Sequence, residues 1–158
     1  MKVLIYTDGA SRGNPGPGGY GIVMIYGNKR KEVAEGFRKT TNNRMELMAV
    51  IVALEHLKRD HLDVEIYSDS RYVVDAINQR WVWSWLRTGF KKKKNEDLWR
   101  RFLQLYPKNN IKMIWVKGHA DNPFNNRCDE LATRAADAHP TSIDHGYEEN
   151  ENDPASLL

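Results

Sequence analysis

Residues 3–8 of the chain read VLIYTD, a continuous apolar run that ends in an acidic residue. Residues 64–69 read VEIYSD and end in the same way. Such runs, rich in β-branched residues, are typical of strands buried on both faces of a sheet. Between them, residues 43–59 carry apolar side chains at helical spacing. A strand–helix–strand unit requires a right-handed crossover, so the two strands are predicted to be parallel.

The rest of the chain extends this unit into a larger sheet. The predicted strands span residues 3–7, 20–26, 32–38, 64–68 and 111–116. The predicted helices span residues 43–59, 72–77, 97–106 and 125–138. The glycine- and proline-rich residues 8–19 are predicted to form a loop. We therefore expect an α/β fold with a mixed five-stranded sheet, its first three strands antiparallel, flanked by helices on both faces.

Composition bounds the domain organisation and the class of protein. The chain has 158 residues, of which 41% are hydrophobic and 28% charged, and this predicts one globular domain over residues 1–147. Residues 148–158 form an acidic tail that we expect to be disordered. Cys128 is the only cysteine, which excludes an intrachain disulfide and a multi-thiolate zinc site. A reducing, cytoplasmic location is expected, and no apolar run is long enough to span a membrane.

The net charge of +3 is unevenly distributed. Residues 139–158 hold five acidic and no Lys or Arg side chains, so the preceding part of the chain is strongly basic. Residues 80–101 hold eight basic side chains against two acidic ones. This local excess indicates either a surface for a polyanion or a lysine-rich solvated loop.

Four carboxylates are candidates for a functional site. Asp8 and Asp69 follow apolar strands at the edge of the sheet where ligand sites gather, although Asp-Gly and Asp-Ser are also ordinary turn pairs. Glu46 lies on the apolar face of the first long helix, where it is either a ligand or a capping-box partner of Asn43. Asp129 lies near the start of the last helix, where the helix dipole also favours an acidic residue.

Five motifs occur in one order along residues 3–138. They are YTDGASRGNPGPGGYG (residues 6–21), TNNRMEL (41–47), YSDSRYV (67–73), WVKGHA (115–120) and NRCDELA (126–132). Together they closely resemble the motifs of the type 1 ribonuclease H family, and most closely its bacterial members, the ribonucleases HI. The resemblance implies a ribonuclease-H-like fold and an endoribonuclease that hydrolyses the RNA strand of RNA–DNA hybrids.

The resemblance also implies the catalytic machinery. Asp8, Glu46, Asp69 and Asp129 correspond to the carboxylates that hold two Mg²⁺ ions, with Mn²⁺ as a substitute. His119, in the loop after the fifth predicted strand, corresponds to a residue that accepts or relays a proton. Hydrolysis with these ions leaves 5′-phosphate and 3′-hydroxyl ends.

Substrate contacts are implied in the same way. The contacts expected on the RNA strand are made by Gly9, Ser11, Asn14, Asn42 and Asn43. The three Asn side chains also suit turns and helix caps. Those expected on the DNA strand come from Lys39, Thr41 and the basic segment that contains Trp81 and Trp85. Arg71 stands where bacterial members often carry Gln, so its substrate contact must differ. Contacts to backbones predict little sequence specificity.

Other functions are compatible with the same motifs. The chain could be a hybrid-binding module without catalysis, or a ribonuclease-H-like domain of a polyprotein or transposase. The complete set of carboxylates and His119 favours an enzyme over a binding module. We expect a monomer whose partner is an RNA–DNA hybrid duplex, with no membrane association and no obligate protein partner.

Overall fold

A computed structural model of the chain describes residues 2–118 and 121–151. The strands are β1 (Lys2–Ser11), β2 (Gly16–Tyr26), β3 (Lys29–Thr40), β4 (Asp63–Ser68) and β5 (Asn110–Trp115). The helices are α1 (Asn42–Glu55), α2 (Arg71–Asn78), α3 (Trp81–Arg87), α4 (Glu96–Leu105), α5 (Pro123–Asp137) and α6 (His145–Glu151). A short 3₁₀ turn, Tyr106–Lys108, leads into β5.

The five strands form one mixed sheet in the order β3-β2-β1-β4-β5. The pairs β1–β2 and β2–β3 are antiparallel, whereas β4 runs parallel to both β1 and β5. The predicted architecture is confirmed, including the parallel pairing of the two strands that end in Asp. The carboxyl ends of β1 and β4 therefore meet at the same edge of the sheet.

Helices cover both faces of this sheet. The main core contains α1, α2 and α4 packed on one face, with Trp99 and Phe102 of α4 fully buried. On the other face α5 covers β1 and β2, and a smaller cluster there is built around Tyr6, Val23 and Cys128. These two apolar layers hold the central strands rigidly from both sides.

The glycine-rich segment does not form the loop that was predicted over residues 8–19. β1 continues to Ser11, β2 begins at Gly16, and Ser11 pairs with Gly18. The glycines allow helices to approach the strand backbone closely. A Cβ atom on Gly19 would lie 2.7 Å from the carbonyl oxygen of Ala132 in α5. The glycine content here reflects close helix–sheet packing, which the sequence pattern alone could not distinguish from a turn.

The first long helix differs at both ends from the expectation of residues 43–59. Thr41 is its N-cap, because its side chain accepts a hydrogen bond from the Arg44 backbone N–H at 3.3 Å. The predicted cap, Asn43, lies inside the helix. The helix ends at Glu55, and Leu57 and Leu62 then fold back against the main core.

The first four residues of the expected disordered tail are helical in the structure. Residues 148–151 belong to α6, and Glu148 and Glu151 form ion pairs with β3. Residues 152–158 lie outside the described residues. Within the described ranges, every helix is too short or too polar to cross a membrane.

Candidate active site

Three of the predicted carboxylates converge at the carboxyl edge of the parallel strands. Asp8 lies in β1 opposite Gly21, Asp69 directly follows β4, and Glu46 lies in the second turn of α1. One carboxylate oxygen from each of the three lies within 4.8 Å of the others. Two strand ends and one helix therefore bring together residues that are far apart in the sequence.

Glu46 is fixed by the backbone of β1. Its side chain is buried, and its Oε1 accepts a hydrogen bond from the Gly9 backbone N–H at 2.9 Å. The capping-box alternative with Asn43 is wrong, since Thr41 caps the helix and Glu46 turns toward the sheet. The other oxygen, Oε2, is buried without a hydrogen-bond partner among the described residues. A buried carboxylate oxygen in that state is costly unless a cation or another donor binds it.

Burial and mutual repulsion alter the protonation of these groups. Burial, together with the charges of Asp69 and Asp129, raises the pKa of Asp8 to about 7. Burial, followed by the charge of Asp8, also raises the pKa of Glu46 well above its ordinary value. Carboxylates held this close resist simultaneous ionisation, and a bound divalent cation relieves that cost.

Asp129 borders the same cleft but is not one of the three carboxylates whose oxygens meet within 4.8 Å. The sequence analysis placed Asp129 near the start of a helix that begins at residue 125. In the structure α5 begins at Pro123, and the Asn122 side chain caps it by accepting hydrogen bonds from two backbone N–H groups. Asp129 therefore lies beyond the first turn, where a helix-dipole role does not account for it.

The cleft around the carboxylates has a volume of about 490 Å³. The predicted site residues that line it are Asp8, Gly9, Asn42, Asn43, Glu46, Asp69, Arg71 and Asp129. Sequence reasoning missed Arg12, Ser70, Tyr72, Asn125, Asn126 and Thr133, which also line it. Asn125 could have been found, since it precedes Asp129 by four residues and so shares its helix face.

Four further predicted residues surround the start of α1 without lining the cleft. The Asn14 side chain accepts a hydrogen bond from the Asn42 backbone N–H at 3.0 Å, and thereby joins the turn after β1 to the start of α1. Thr41 caps α1, and Ser11 and Lys39 lie at the ends of β1 and β3. The turn and capping roles of Asn14 and Thr41 are therefore real, and both residues stand next to the cleft.

The two predicted tryptophans lie in α3, away from the cleft lining. Trp81 is 47% exposed. Trp85 packs against the buried Trp99, with Lys93 over its ring at 5.2 Å. The segment thus presents one free aromatic face and one half-buried ring beside lysines, an arrangement suited to stacking with nucleic acid.

Arg71 forms part of the cleft rim. Its guanidinium lies 3.8 Å from the centre of the Trp115 ring, and Trp115 donates a hydrogen bond to the Asp69 backbone carbonyl. The stacked ring orients the cation next to the carboxylates. His119, the predicted proton relay, lies outside the described residues.

The donor set fits a hard divalent cation. Asp8, Glu46 and Asp69 offer oxygen atoms only, which Mg²⁺ and Mn²⁺ prefer, and one Glu46 oxygen lacks a partner among the described residues. The acidic group could therefore hold a metal ion.

Cation binding at this site should depend on pH below neutrality. Asp8, with a pKa of about 7, is protonated in acid and must lose its proton to act as a ligand. We expect Mg²⁺ affinity to rise roughly tenfold per pH unit up to about pH 7 and then to level off. Calorimetric titration in two buffers of different ionisation enthalpy measures both the affinity and the proton released. An affinity that is constant across this range would contradict the raised pKa.

Two solved structures share this architecture. LC9-RNase H1, described as a type 1 RNase H with the type 2 active-site motif, matches with a TM-score of 0.78 and 32% identity over 99% of this chain and 83% of that one. LC11-RNase H1, solved in complex with an RNA/DNA hybrid, matches with a TM-score of 0.63 and 29% identity over 86% of this chain and 97% of that one. The sheet topology and the acidic cleft define a nuclease of the ribonuclease-H-like fold class.

Sequence comparisons narrow this class to a family. The RNase H family model matches residues 1–137. The ribonuclease H of Desulforamulus reducens is 54% identical over 140 residues, which cover 85% of this chain and 87% of that protein. The ribonuclease H of Salmonella paratyphi C is 53% identical over 152 residues, which cover 93% and 96% respectively. The chain belongs to the ribonuclease H family and is a type 1 ribonuclease H enzyme.

Proposed function

We propose that the enzyme hydrolyses the RNA strand of RNA–DNA hybrids, with little sequence specificity, and leaves 5′-phosphate and 3′-hydroxyl ends. The observation that carries this proposal is the convergence of Asp8, Glu46 and Asp69 within 4.8 Å at the base of a polar cleft. The complex of the related LC11 enzyme with an RNA/DNA hybrid supports the choice of substrate.

The carboxylates would hold two Mg²⁺ ions, for which Mn²⁺ can substitute, with Asp129 as the fourth ligand. When bound, these ions activate water as a nucleophile and stabilise charge on the phosphodiester oxygens. The Gly9 N–H, which hydrogen-bonds to both Asp8 and Glu46 at 2.9 Å, holds the two carboxylates in place. His119 would accept or relay a proton, as the family resemblance implies.

The rim residues would distinguish the two strands. Asn42 and Asn43 line the cleft, and a side-chain amide can both donate to and accept from a ribose 2′-hydroxyl. Gly9, Ser11 and Asn14 would complete the RNA side. Lys39, Thr41, Trp81 and Trp85 would hold the DNA strand through its phosphates and sugars, and Arg71 would take a phosphate at the rim. Binding through backbones predicts steep salt dependence.

A cleavage assay with three duplexes, the hybrid being labelled on either strand, tests the proposal. We expect metal-dependent cleavage of the RNA strand in a labelled hybrid, and none of duplex DNA, duplex RNA or the hybrid's DNA strand. Chelation should stop the reaction and Mn²⁺ should restore it. A hybrid that binds in a salt-dependent manner but stays intact with either ion would contradict the proposal and indicate a binding module. Cleavage of a DNA strand would indicate a transposase-like activity.

We further propose that the enzyme acts as a monomer in the cytoplasm. Cys128 is buried, and its thiol donates a hydrogen bond to the Tyr6 carbonyl at 3.2 Å. Burial raises the pKa of this thiol and keeps it protonated and unreactive. A chain whose only cysteine is a buried thiol suits a reducing compartment.

A further inference from the structure

The acidic helix α6 lies against the basic end of β3. Arg38 makes two hydrogen bonds to the Glu148 carboxylate, at 3.0 and 2.8 Å, and Lys39 contacts Glu151 at 2.7 Å. Tyr147 also donates a hydrogen bond to Glu151 at 3.1 Å. Two adjacent cations of the strand are therefore paired with carboxylates of a single helix.

These two cations stand beside the cleft. Lys39 is followed by the buried Thr40 and then by Thr41, which caps α1, and the next two residues line the cleft. At about 3.3 Å per residue in extended chain, Lys39 lies roughly 10 Å along the backbone from the cleft wall. A nucleic-acid strand that enters the cleft would bring its phosphates near this pair. Arg38 and Lys39, which we call the β3 cation pair, are placed to receive them.

The C-terminal segment is attached in two unequal ways. Asp144, which is 2% exposed, accepts hydrogen bonds from the buried Arg44 and from the Thr40 hydroxyl, each at 2.7 Å. None of the residues of α6 is fully buried, and its ion pairs with the β3 cation pair are partly exposed, with side-chain exposures between 16% and 53%. Buried pairs are costly to break, whereas exposed pairs contribute little and weaken with salt. The anchor at Asp144 keeps α6 close while its contacts remain easy to displace.

We propose that the β3 cation pair is a phosphate-binding surface and that α6 covers it in the free enzyme. The carboxylates of Glu148 and Glu151 occupy the positions that phosphates of the hybrid take in the complex. Substrate binding then requires exchange of these carboxylates for phosphates, so α6 weakens binding at low substrate concentration. The inference rests on the proposed function, because it requires a nucleic-acid duplex as substrate.

The first test removes the covering charges from the full-length protein. Affinity for a labelled RNA–DNA hybrid is measured by fluorescence anisotropy with chelator present, so that no cleavage occurs. We expect the Glu148→Gln/Glu151→Gln variant to bind about two- to tenfold more tightly than the wild type at low salt, because two exposed pairs no longer compete. The gain should shrink as salt rises.

Glu149→Gln provides the matched control. Glu149 is on the same helix and 78% exposed, and its ion-pair contact is with His145, not with β3. The control loses one negative charge near the same surface without uncovering the β3 cation pair. An equal rise in the affinity for the hybrid, per negative charge removed, in the Glu149→Gln control and in the double variant would contradict the inference. That result would show a general charge effect and overturn the covering role of α6.

A double-mutant cycle with Lys39→Gln separates displacement from simple attraction. In the wild type, Lys39→Gln removes a phosphate contact from the complex and also removes the Lys39–Glu151 ion pair that the substrate must break. These two losses have opposite effects on binding, so we expect little change in affinity. In the Glu148→Gln/Glu151→Gln background the same substitution removes the contact alone, so affinity should fall several-fold. Equal losses in the two backgrounds would overturn the inference.

Cleavage assays on the same proteins distinguish this inference from the proposed function. If the wild type neither binds nor cleaves the hybrid with Mg²⁺, the proposed function fails. If the wild type cleaves the hybrid but the variants show no coupling, only the covering role of α6 is wrong. Urea unfolding of each variant should show a loss of at most about 1 kcal/mol in the free energy of unfolding for each ion pair removed, because these pairs are at least partly exposed.

Discussion

Asp8→Asn protein is expected to lose hybrid cleavage by about 10³-fold or more, because one carboxylate of the converging group becomes a neutral amide and cation binding fails. The asparagine Oδ1 can still accept the hydrogen bond that Gly9 donates to Asp8 at 2.9 Å, so the local backbone should be kept. Single-turnover cleavage of labelled hybrid with saturating Mg²⁺ measures the loss.

The same substitution should stabilise the metal-free protein. The pKa of Asp8 is raised from 3.8 to about 7 in the folded state, so its contribution to stability is fully present below pH 3.8 and is lost as the pH rises through about 7. At pH 8 the ionised Asp8 opposes folding, and Asp8→Asn should raise the free energy of unfolding by about 2 kcal/mol with chelator present. Added Mg²⁺ should stabilise the wild type and not the variant.

Asp60→Asn is the control for both measurements. It makes the same chemical change at an exposed residue that lines neither the cleft nor the core. Activity and stability should match the wild type. An Asp8→Asn protein that cleaves the hybrid normally would exclude Asp8 as a cation ligand. An Asp8→Asn protein that is less stable than the wild type without metal would contradict the predicted repulsion between the carboxylates.

The second of the two largest predicted effects is a loss of folding stability when a buried salt bridge is broken. Arg44 and Asp144 form a salt bridge of 2.7 Å in which the side chains are only 4% and 2% exposed. Asp144→Ala leaves the Arg44 charge buried with only the half-exposed Asp97, and we expect a loss of about 3–5 kcal/mol in the free energy of unfolding. Urea unfolding monitored by circular dichroism measures this loss, with the slope confirming two-state behaviour.

Asp137→Ala is the matched control for burial. Asp137 accepts two hydrogen bonds of 2.8 Å from Arg12, yet the two side chains are 52% and 55% exposed. The Arg12–Asp137 pair has hydrogen-bond geometry similar to that of the Arg44–Asp144 pair but is exposed to solvent. Asp137→Ala should therefore lower the free energy of unfolding by at most about 1 kcal/mol. Similar costs for Asp137→Ala and Asp144→Ala would show that burial of the Arg44 pair does not determine its contribution.

The sequence anticipated much of the acidic cluster at the candidate site. Asp8 and Asp69 follow apolar strands, and the parallel pairing of those strands, implied by the intervening helix, places both at one edge of the sheet. Glu46 was identified because a carboxylate on an apolar helix face needs a partner. Its actual partner, the Gly9 N–H, is 37 residues away and was not predictable from local pattern.

The predictions from sequence were wrong where a local feature of the sequence depends on a contact in the tertiary structure. The glycines of residues 8–19 were interpreted as a loop, but they belong largely to paired strands against which α1 and α5 pack closely. Residues 148–158 were expected to be disordered, but Glu148 and Glu151 pair with Arg38 and Lys39, which lie 110 and 112 residues earlier. Composition reports flexibility and charge, and it carries no information on which distant group a residue meets.

By itself, the sequence determined the order of the five strands and of the helices α1, α2, α4 and α5, the chemistry of the oxygen-donor site and the family of the enzyme, because hydrophobic periodicity and motif spacing are local properties. Only the tertiary structure decided that Asp8, Glu46 and Asp69 meet within 4.8 Å, that Arg71 stacks on Trp115, and that α6 covers the end of β3. These are contacts between residues distant in the chain, and packing of the two helical layers against the sheet sets their geometry.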